Sequence, residues 1–417
     1  MKKFIMLSAV MAAVSTAFIA CSSDDDLAQA PAVPEETVID TPKGTPFSLS
    51  VSADTRATMY NADAWGTSGA NAVTMLKLYG KQPSYAAWMD RIFTRDADKT
   101  NWTSTRNATT GSTTTDAAAP CWPVDDPNTN DVESAEATKF YAITDNAIGT
   151  ESGTPIAGIS EWMSPTVGKF KYALPIFEPD PIKPEEAILW YNSNEYSQTQ
   201  QIAYSYVNNS QLTDLMVASA ETTEASTVNG EGKLSLAFTH ALATLKIQAA
   251  FVSDAEYNDG NDPSQATIKS VMVCGLKGAG TYTFGGSPSP WATNTAVNYY
   301  YELPTPKPLT AEGEGGSYTP YELVPAGTFL VVPQSVTACA TTYTGDYPTT
   351  GAYIAVRFRD SATNKDWIQF YPFTASFNAG KIRTITINIP DGYDPFDDTG
   401  DNGNAGAIYT AANTFVQ

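Results

Sequence analysis

The chain has 417 residues, 42% of them hydrophobic, with 22 Tyr, 17 Phe and 8 Trp and a formal net charge of −21. That is more than one ordinary core holds, so two domains are expected, and the charge argues against nucleic acid or charge-driven adhesion to anionic lipid. A single histidine, His240, argues against most zinc and general acid–base sites, which leaves carboxylate-pair chemistry as the main route to an enzyme.

Residues 1–20 carry Lys2 and Lys3 and then a largely apolar run to Ala20, the pattern of a secretory signal peptide. The run closes on Phe18-Ile19-Ala20-Cys21, which resembles a bacterial lipobox with Phe where Leu is usual. That resemblance implies lipidation at Cys21. The following Ser22-Ser23-Asp24-Asp25-Asp26 resembles the acidic tag of Bacteroidetes lipoproteins bound for the outer face of the outer membrane. No later segment approaches the ~20 apolar residues of a membrane span. Lipid is therefore the expected anchor.

Residues 21–45 read as an extended tether rich in Pro, Ala, Glu and Thr. Residues 46–56 read as a first strand: Phe47, Leu49, Val51 and Ala53 alternate with Ser48, Ser50, Ser52 and Asp54. Arg56, the first arginine of the chain, follows at once. A single cut between Arg56 and Ala57 would detach the strand from the body.

In residues 57–228, Val73–Tyr79, Lys139–Thr144, Phe170–Leu174 and Ala187–Tyr191 have strand character. Ser84–Arg95 breaks the pattern, because Tyr85, Trp88, Met89 and Ile92 fall at i, i+3, i+4 and i+7, the spacing of a one-sided helix. Asp96–Thr138 reads as a long surface excursion interrupted by Cys121-Trp122-Pro123. After Asp214–Ala218 the polar stretch Ser219–Gly232 marks the expected boundary with a second domain over residues 229–392.

There Leu234, Leu236, Phe238, His240 and Leu242 share one face of a strand, and the apolar phase then shifts to Leu245, Ile247, Ala249 and Phe251. One sheet buries both sets only with a bulge or bend near Ala243-Thr244. Ser270–Cys274, Thr328–Val332, Ala352–Phe358, Trp367–Phe373 and Arg383–Ile389 complete the strands. Recurring turn signals and the lack of a long helix pattern make the fold all-β, a sandwich with long loops.

Few residues suggest chemistry. His240, with no second histidine to partner it, reads as a satisfied buried side chain. Of the four cysteines, Cys121, Cys274 and Cys339 remain after Cys21, so at most one disulfide forms. Asp394–Asn404 is dense in oxygen ligands but lacks the sixth-position Gly and terminal Glu of an EF-hand counted from Asp397. It reads as a solvated acidic loop in the tail, residues 393–417, and no metal, cofactor or catalytic residue is assigned. Tyr299-Tyr300-Tyr301 is attributed to core packing. The segment Ala407–Gln417 is strand-like, with Ile408 and Val416 on one face and Tyr409 and Phe415 on the other.

Taken in order, several segments resemble the fimbrillin (Mfa-like) family of Bacteroidetes pilus subunits. They are the lipobox leader, Thr55-Arg56-Ala57-Thr58 after a strand, and Trp122-Pro123 ahead of Phe140-Tyr141-Ala142. Asp214-Leu215-Met216, Leu236 to Leu242, Val332-Pro333-Gln334 and Ala379-Gly380-Lys381 before the Ile385–Ile389 strand complete the set. The resemblance implies two transthyretin-like Greek-key β-sandwich domains and export as a lipoprotein. It also implies cleavage after Arg56 and polymerisation by donor-strand exchange, with Phe47, Leu49, Val51 and Ala53 as the exchanged strand. Ile408, Tyr409, Phe415 and Val416 are the candidate donor positions. The expected partners are other pilin subunits, the outer membrane through the N-terminal lipid, and a surface receptor, with no nucleic acid. The expected location is a fimbrium on the cell outer membrane. The rival reading is a monomeric carbohydrate-binding surface lipoprotein.

Overall fold

The computed structural model describes residues 46–53, 75–82, 87–95, 101–107, 120–122, 137–144, 159–164, 168–177, 190–191, 199–200, 205–212, 214–223, 232–252, 266–287, 289–308, 320–340, 348, 350–360 and 366–390. Among these residues there is one 3-10 turn, Asn209–Gln211, and no α-helix. The first strands are β1 (Ser48–Ala53), β2 (Met75–Lys81), β3 (Ala87–Arg95), β4 (Trp102–Asn107) and β5 (Thr138–Thr144). Next come β6 (Ile159–Ser164), β7 (Lys169–Ala173), β8 (Ile176–Phe177), β9 (Trp190–Tyr191), β10 (Thr199–Gln200) and β11 (Tyr206–Val207). The middle of the chain gives β12 (Met216–Thr222), β13 (Lys233–His240), β14 (Ala243–Val252), β15 (Ala266–Thr283) and β16 (Trp291–Pro308). The last are β17 (Tyr321–Val331), β18 (Gln334–Val336), β19 (Tyr353–Asp360), β20 (Asp366–Pro372), β21 (Ala375–Phe377) and β22 (Ile382–Pro390). The fold is an all-β sandwich.

Seven strands form the first sheet in the order β1-β13-β12-β5-β2-β3-β4. Its end strands β1 and β4 approach each other, so the sheet curls around a core of its own. Leu76, Leu78, Phe93, Phe140, Leu234, Leu236 and Phe238 fill that core. The other face of the same sheet is also apolar: Met75, Tyr79, Ile92, Ile143 and Val217 belong to a second, larger core. That core lies with a three-stranded sheet, β17-β14-β22, and a six-stranded one, β20-β19-β15-β7-β6, to which β16 adds by pairing with β15. Leu245, Ile247, Val271, Val273, Phe329, Ile354, Ile385 and Ile387 are fully buried there. Each such side chain contributes roughly 1.5–3 kcal/mol relative to exposure.

The phase shift after β13 is a change of sheet. Leu234, Leu236 and Phe238 enter the first core, the chain bends at Ala241-Leu242, and β14 delivers Leu245, Ile247 and Ala249 to the second. Leu242 goes with the second set. At the bend the Ala241 N–H donates to the Leu215 carbonyl at 2.8 Å. Beside it His240 Nδ1 lies 2.5 Å from Asp214 Oδ2, both side chains largely buried, so the lone histidine is partnered.

Sheet membership does not divide at 228/229. β13 completes the first sheet, because its apolar triplet closes that core, while β6 and β7 join the sheet of β15 and β19. The helical spacing in Ser84–Arg95 also resolves differently, since Ala87–Arg95 is β3. Met89 and Phe93 face the first core and Ile92 the second. A strand buried on both faces loses its period of two and mimics a helical one. Within the expected excursion, Trp102–Asn107 forms β4 at the sheet end.

The hairpin of β15 and β16, 18 residues each, is far longer than the Ser270–Cys274 strand expected there. Gly275 sits at φ +83° inside a register shift between Val273 and Leu276, and a Cβ there would meet the Gly351 carbonyl oxygen at 2.1 Å. No other residue fits that bulge without strain. Tyr299 is core, donating its hydroxyl hydrogen to the Leu330 carbonyl at 2.9 Å. Cys121, Cys274 and Cys339 are buried free thiols, and burial pushes Cys274 up to about 12.

Candidate functional site

β1 lies parallel to β13 in continuous register, from Ser48 opposite Lys233 to Ala53 opposite Phe238. Alternation then sends Phe47 and Leu49 inward, 6% and 7% exposed, with Val51 half-buried behind them. The Phe47 ring is the anchor. Its centroid is 5.9 Å from Phe93, 5.4 Å from Trp122 and 5.8 Å from Phe140, all tilted contacts that aromatic quadrupoles favour.

Two backbone segments grip the start of the strand. The Phe47 N–H donates to the Pro120 carbonyl at 2.8 Å, and Pro46 forms an isolated antiparallel bridge with Cys121. On the other side the Ser48 N–H donates to the Gly232 carbonyl at 3.3 Å. The same carbonyl receives the indole N–H of Trp122 at 2.7 Å, which joins both grips over the Phe47 ring. Beyond Phe47, β1 is an end strand paired with β13 alone in the sheet order.

The slot is thus an aromatic pocket at one end and a strand edge along the rest. Among the described residues its lining holds no titratable pair, and its geometry is of the kind that suits strand addition, in which backbone hydrogen bonds give affinity and alternate side chains give register. A buried charge lies on each side of the sheet: Arg91 stands between Met89 and Phe93 on the slot side, its Nη1 donating to Ser104 Oγ at 3.5 Å, and Lys77 lies on the opposite face. There Lys77 stands between Met75 and Tyr79 with its Nζ 3.7 Å from Asp90 Oδ1, and burial pushes its ammonium down to about 8 against the upward pull of Asp90. Among the described residues no three His, Cys, Asp or Glu side chains come together as a metal-holding group.

Of the residues singled out from the sequence, the structure brings Phe47, Leu49 and Val51 together in one slot, and pairs the Ala53 backbone with Phe238. Cys21, Arg56, Ala57, Ile408, Tyr409, Phe415, Val416 and the acidic loop Asp394–Asn404 lie outside the described residues. Sequence reasoning missed Gly232 and the Pro120 carbonyl. It noticed Trp122 only as part of a Trp-Pro pair, although a Trp in a Thr/Ala/Asn-rich stretch signals burial.

A family model described as fimbrillin-like matches residues 181–405. No curated protein matches the chain. Among solved structures, the chain is similar to a "putative cell adhesion protein" of Bacteroides ovatus at 9% identity, covering 90% of this chain and 97% of that one, TM-score 0.38. A second "putative cell adhesion protein", from Bacteroides uniformis, is 16% identical with 84% and 94% covered, TM-score 0.35. A third, from Bacteroides thetaiotaomicron, described among "putative polysaccharide binding proteins", is 9% identical with 84% and 93% covered, TM-score 0.32. The family match spans more than half of the 417 residues, and the chain belongs to the fimbrillin-like family.

Proposed function

We propose that this chain is a structural and adhesive pilus subunit, exported as a lipoprotein through Cys21 and polymerised by donor-strand exchange after cleavage following Arg56. The observation that carries the reading is the slot of β1: an N-terminal edge strand supplies Phe47 and Leu49 to a core otherwise built from residues 76–238. Before cleavage the strand is tethered to its own slot and outcompetes any other strand through effective concentration. After cleavage it is held by noncovalent contacts alone. Its loss opens an aromatic pocket and the β13 edge, a state that favours a replacement.

The register adds a constraint. A replacement strand that reuses the hydrogen bonds of β1 runs parallel to Lys233–His240 and places an apolar residue where Phe47 sits. In this reading the donor is Ala407–Gln417 of another subunit, and the fibre stands on the outer membrane surface. No catalysis is assigned.

The test compares polymer ladders of the wild type and Arg56→Ala after treatment with an Arg-specific protease. Ladders in the wild type alone are expected; equal polymerisation of both sinks the reading.

A further inference from the structure

A half-open groove of about 420 Å³ lies between the start of β16, the turn into β18 and the turn that follows β21. That volume is in the range of about 300–1,000 Å³ found for small-molecule sites. We propose that it binds a neutral saccharide.

The walls are held rigid by the chain itself. Gln334 accepts from the Lys277 N–H at 2.8 Å and donates to the carbonyls of Lys277 at 2.8 Å and Val332 at 2.9 Å. The Trp291 indole N–H donates inward to the Ala241 carbonyl at 2.9 Å, which fixes its ring beneath the groove against Phe170, Tyr172 and Tyr282. The hydroxyls of Ser335 and Ser376 meet at 3.0 Å and tie β18 to β21. A site on strands locked in this way loses little entropy when it takes a ligand.

The chemistry selects the ligand class. Among the described residues no carboxylate, ammonium or guanidinium lines the groove, in a chain with 45 acidic and 24 basic residues. A charged ligand would lose hydration there without meeting a counter-charge. Buried Trp291, Pro333 and Phe377 form an apolar floor with half-buried Pro290 at its edge, while the Thr293 hydroxyl and the exposed Asn378 amide on the rim are not engaged by the described residues. Asn378 offers both donor and acceptor, and Thr293 a hydroxyl. A pyranose, with C–H faces and ring hydroxyls but no charge, matches both sets.

The inference rests on the surface location in the reading above and not on strand exchange. The test titrates the full chain calorimetrically with cellohexaose, xylohexaose, mannohexaose and galactohexaose, with heparin hexasaccharide as the anionic probe. Binding of at least one neutral probe is expected, weakened about tenfold by Asn378→Ala and by Thr293→Val and unchanged by Ser219→Ala on β12. No binding of any neutral probe at millimolar concentration, binding of heparin alone, or full affinity in both rim variants overturns it. Protease-induced ladders scored on the same samples keep the two readings apart. Ladders without sugar binding remove the saccharide site alone.

Discussion

β1 and β22 hold the same kind of place in the two sheets that diverge at Ala241-Leu242. Each is an end strand laid parallel on one of two consecutive strands, β1 on β13 and β22 on β14. Their attachment differs. β22 pairs through nine residues and sinks Ile385, Ile387 and Ile389 completely. Its entry is pinned by Gly380 N–H to the Leu242 carbonyl at 2.8 Å and Thr244 N–H to the Lys381 carbonyl at 3.0 Å. β1 pairs through six residues, and its hold is concentrated in one aromatic ring and the two grips at Phe47 and Ser48. One topology thus holds two unlike strands: β22 is a fixture of its core, whereas β1, in the function proposed above, is the strand that a cut releases.

The largest effect should therefore come from β22. Ile387→Ala is expected to cost about 2–5 kcal/mol in urea unfolding, with or without protease treatment, because the cavity opens in a core that no other strand fills. Phe47→Ala should cost about 3 kcal/mol in the uncut chain and speed the release of β1 once the chain is cut after Arg56. Release at the wild-type rate would erase the distinction between the two strands.

A smaller effect tests whether the slot is independent of the sheet's other face. Lys77 holds its proton less tightly folded, near 8, than unfolded, near 10.4. Between those pH values the unfolded chain binds more protons than the folded one, so stability rises with pH across that window. The gain should be about 2 kcal/mol between pH 7.5 and 9.5 and vanish in Lys77→Met. Phe47 burial, followed by tryptophan emission from Trp122, should stay constant through that range. An equal gain in Lys77→Met would show that another group is responsible.

Much of this contrast is written in the chain. The alternation in Phe47–Ala53, in Leu234–Phe238 and in Ile385–Ile389 marks three strands with one apolar face each, and period two shows them plainly. The shift of phase near Ala243 is equally visible, but a phase shift within one sheet and a step between two sheets look alike in sequence. Only the pairing partners tell them apart. β3 was obscure for the opposite reason: with both faces buried it carries no period, and Met89 and Ile92 fell into helical spacing by coincidence. The continuation of β15 past Cys274 was hidden by Gly275, Gly278 and Gly280, which break the apolar pattern where neighbouring strands come too close for a side chain. In the slot, the ring of Phe47 was legible. Its carbonyl partners at Pro120 and Gly232 were not, because a backbone acceptor leaves no trace in residue type.

The central claim, that β1 leaves its slot when the chain polymerises, is tested most directly by locking it in place. Ser50 and Ser235 are register partners on the outer side of the sheet, and adjacent strands bring such pairs within disulfide reach. The described native thiols, Cys121, Cys274 and Cys339, are buried, so the introduced pair reacts preferentially. After cleavage at Arg56, the Ser50→Cys/Ser235→Cys chain should remain unpolymerised while oxidised and form ladders once reduced. Equal ladders in both redox states, or none in either, would contradict the account.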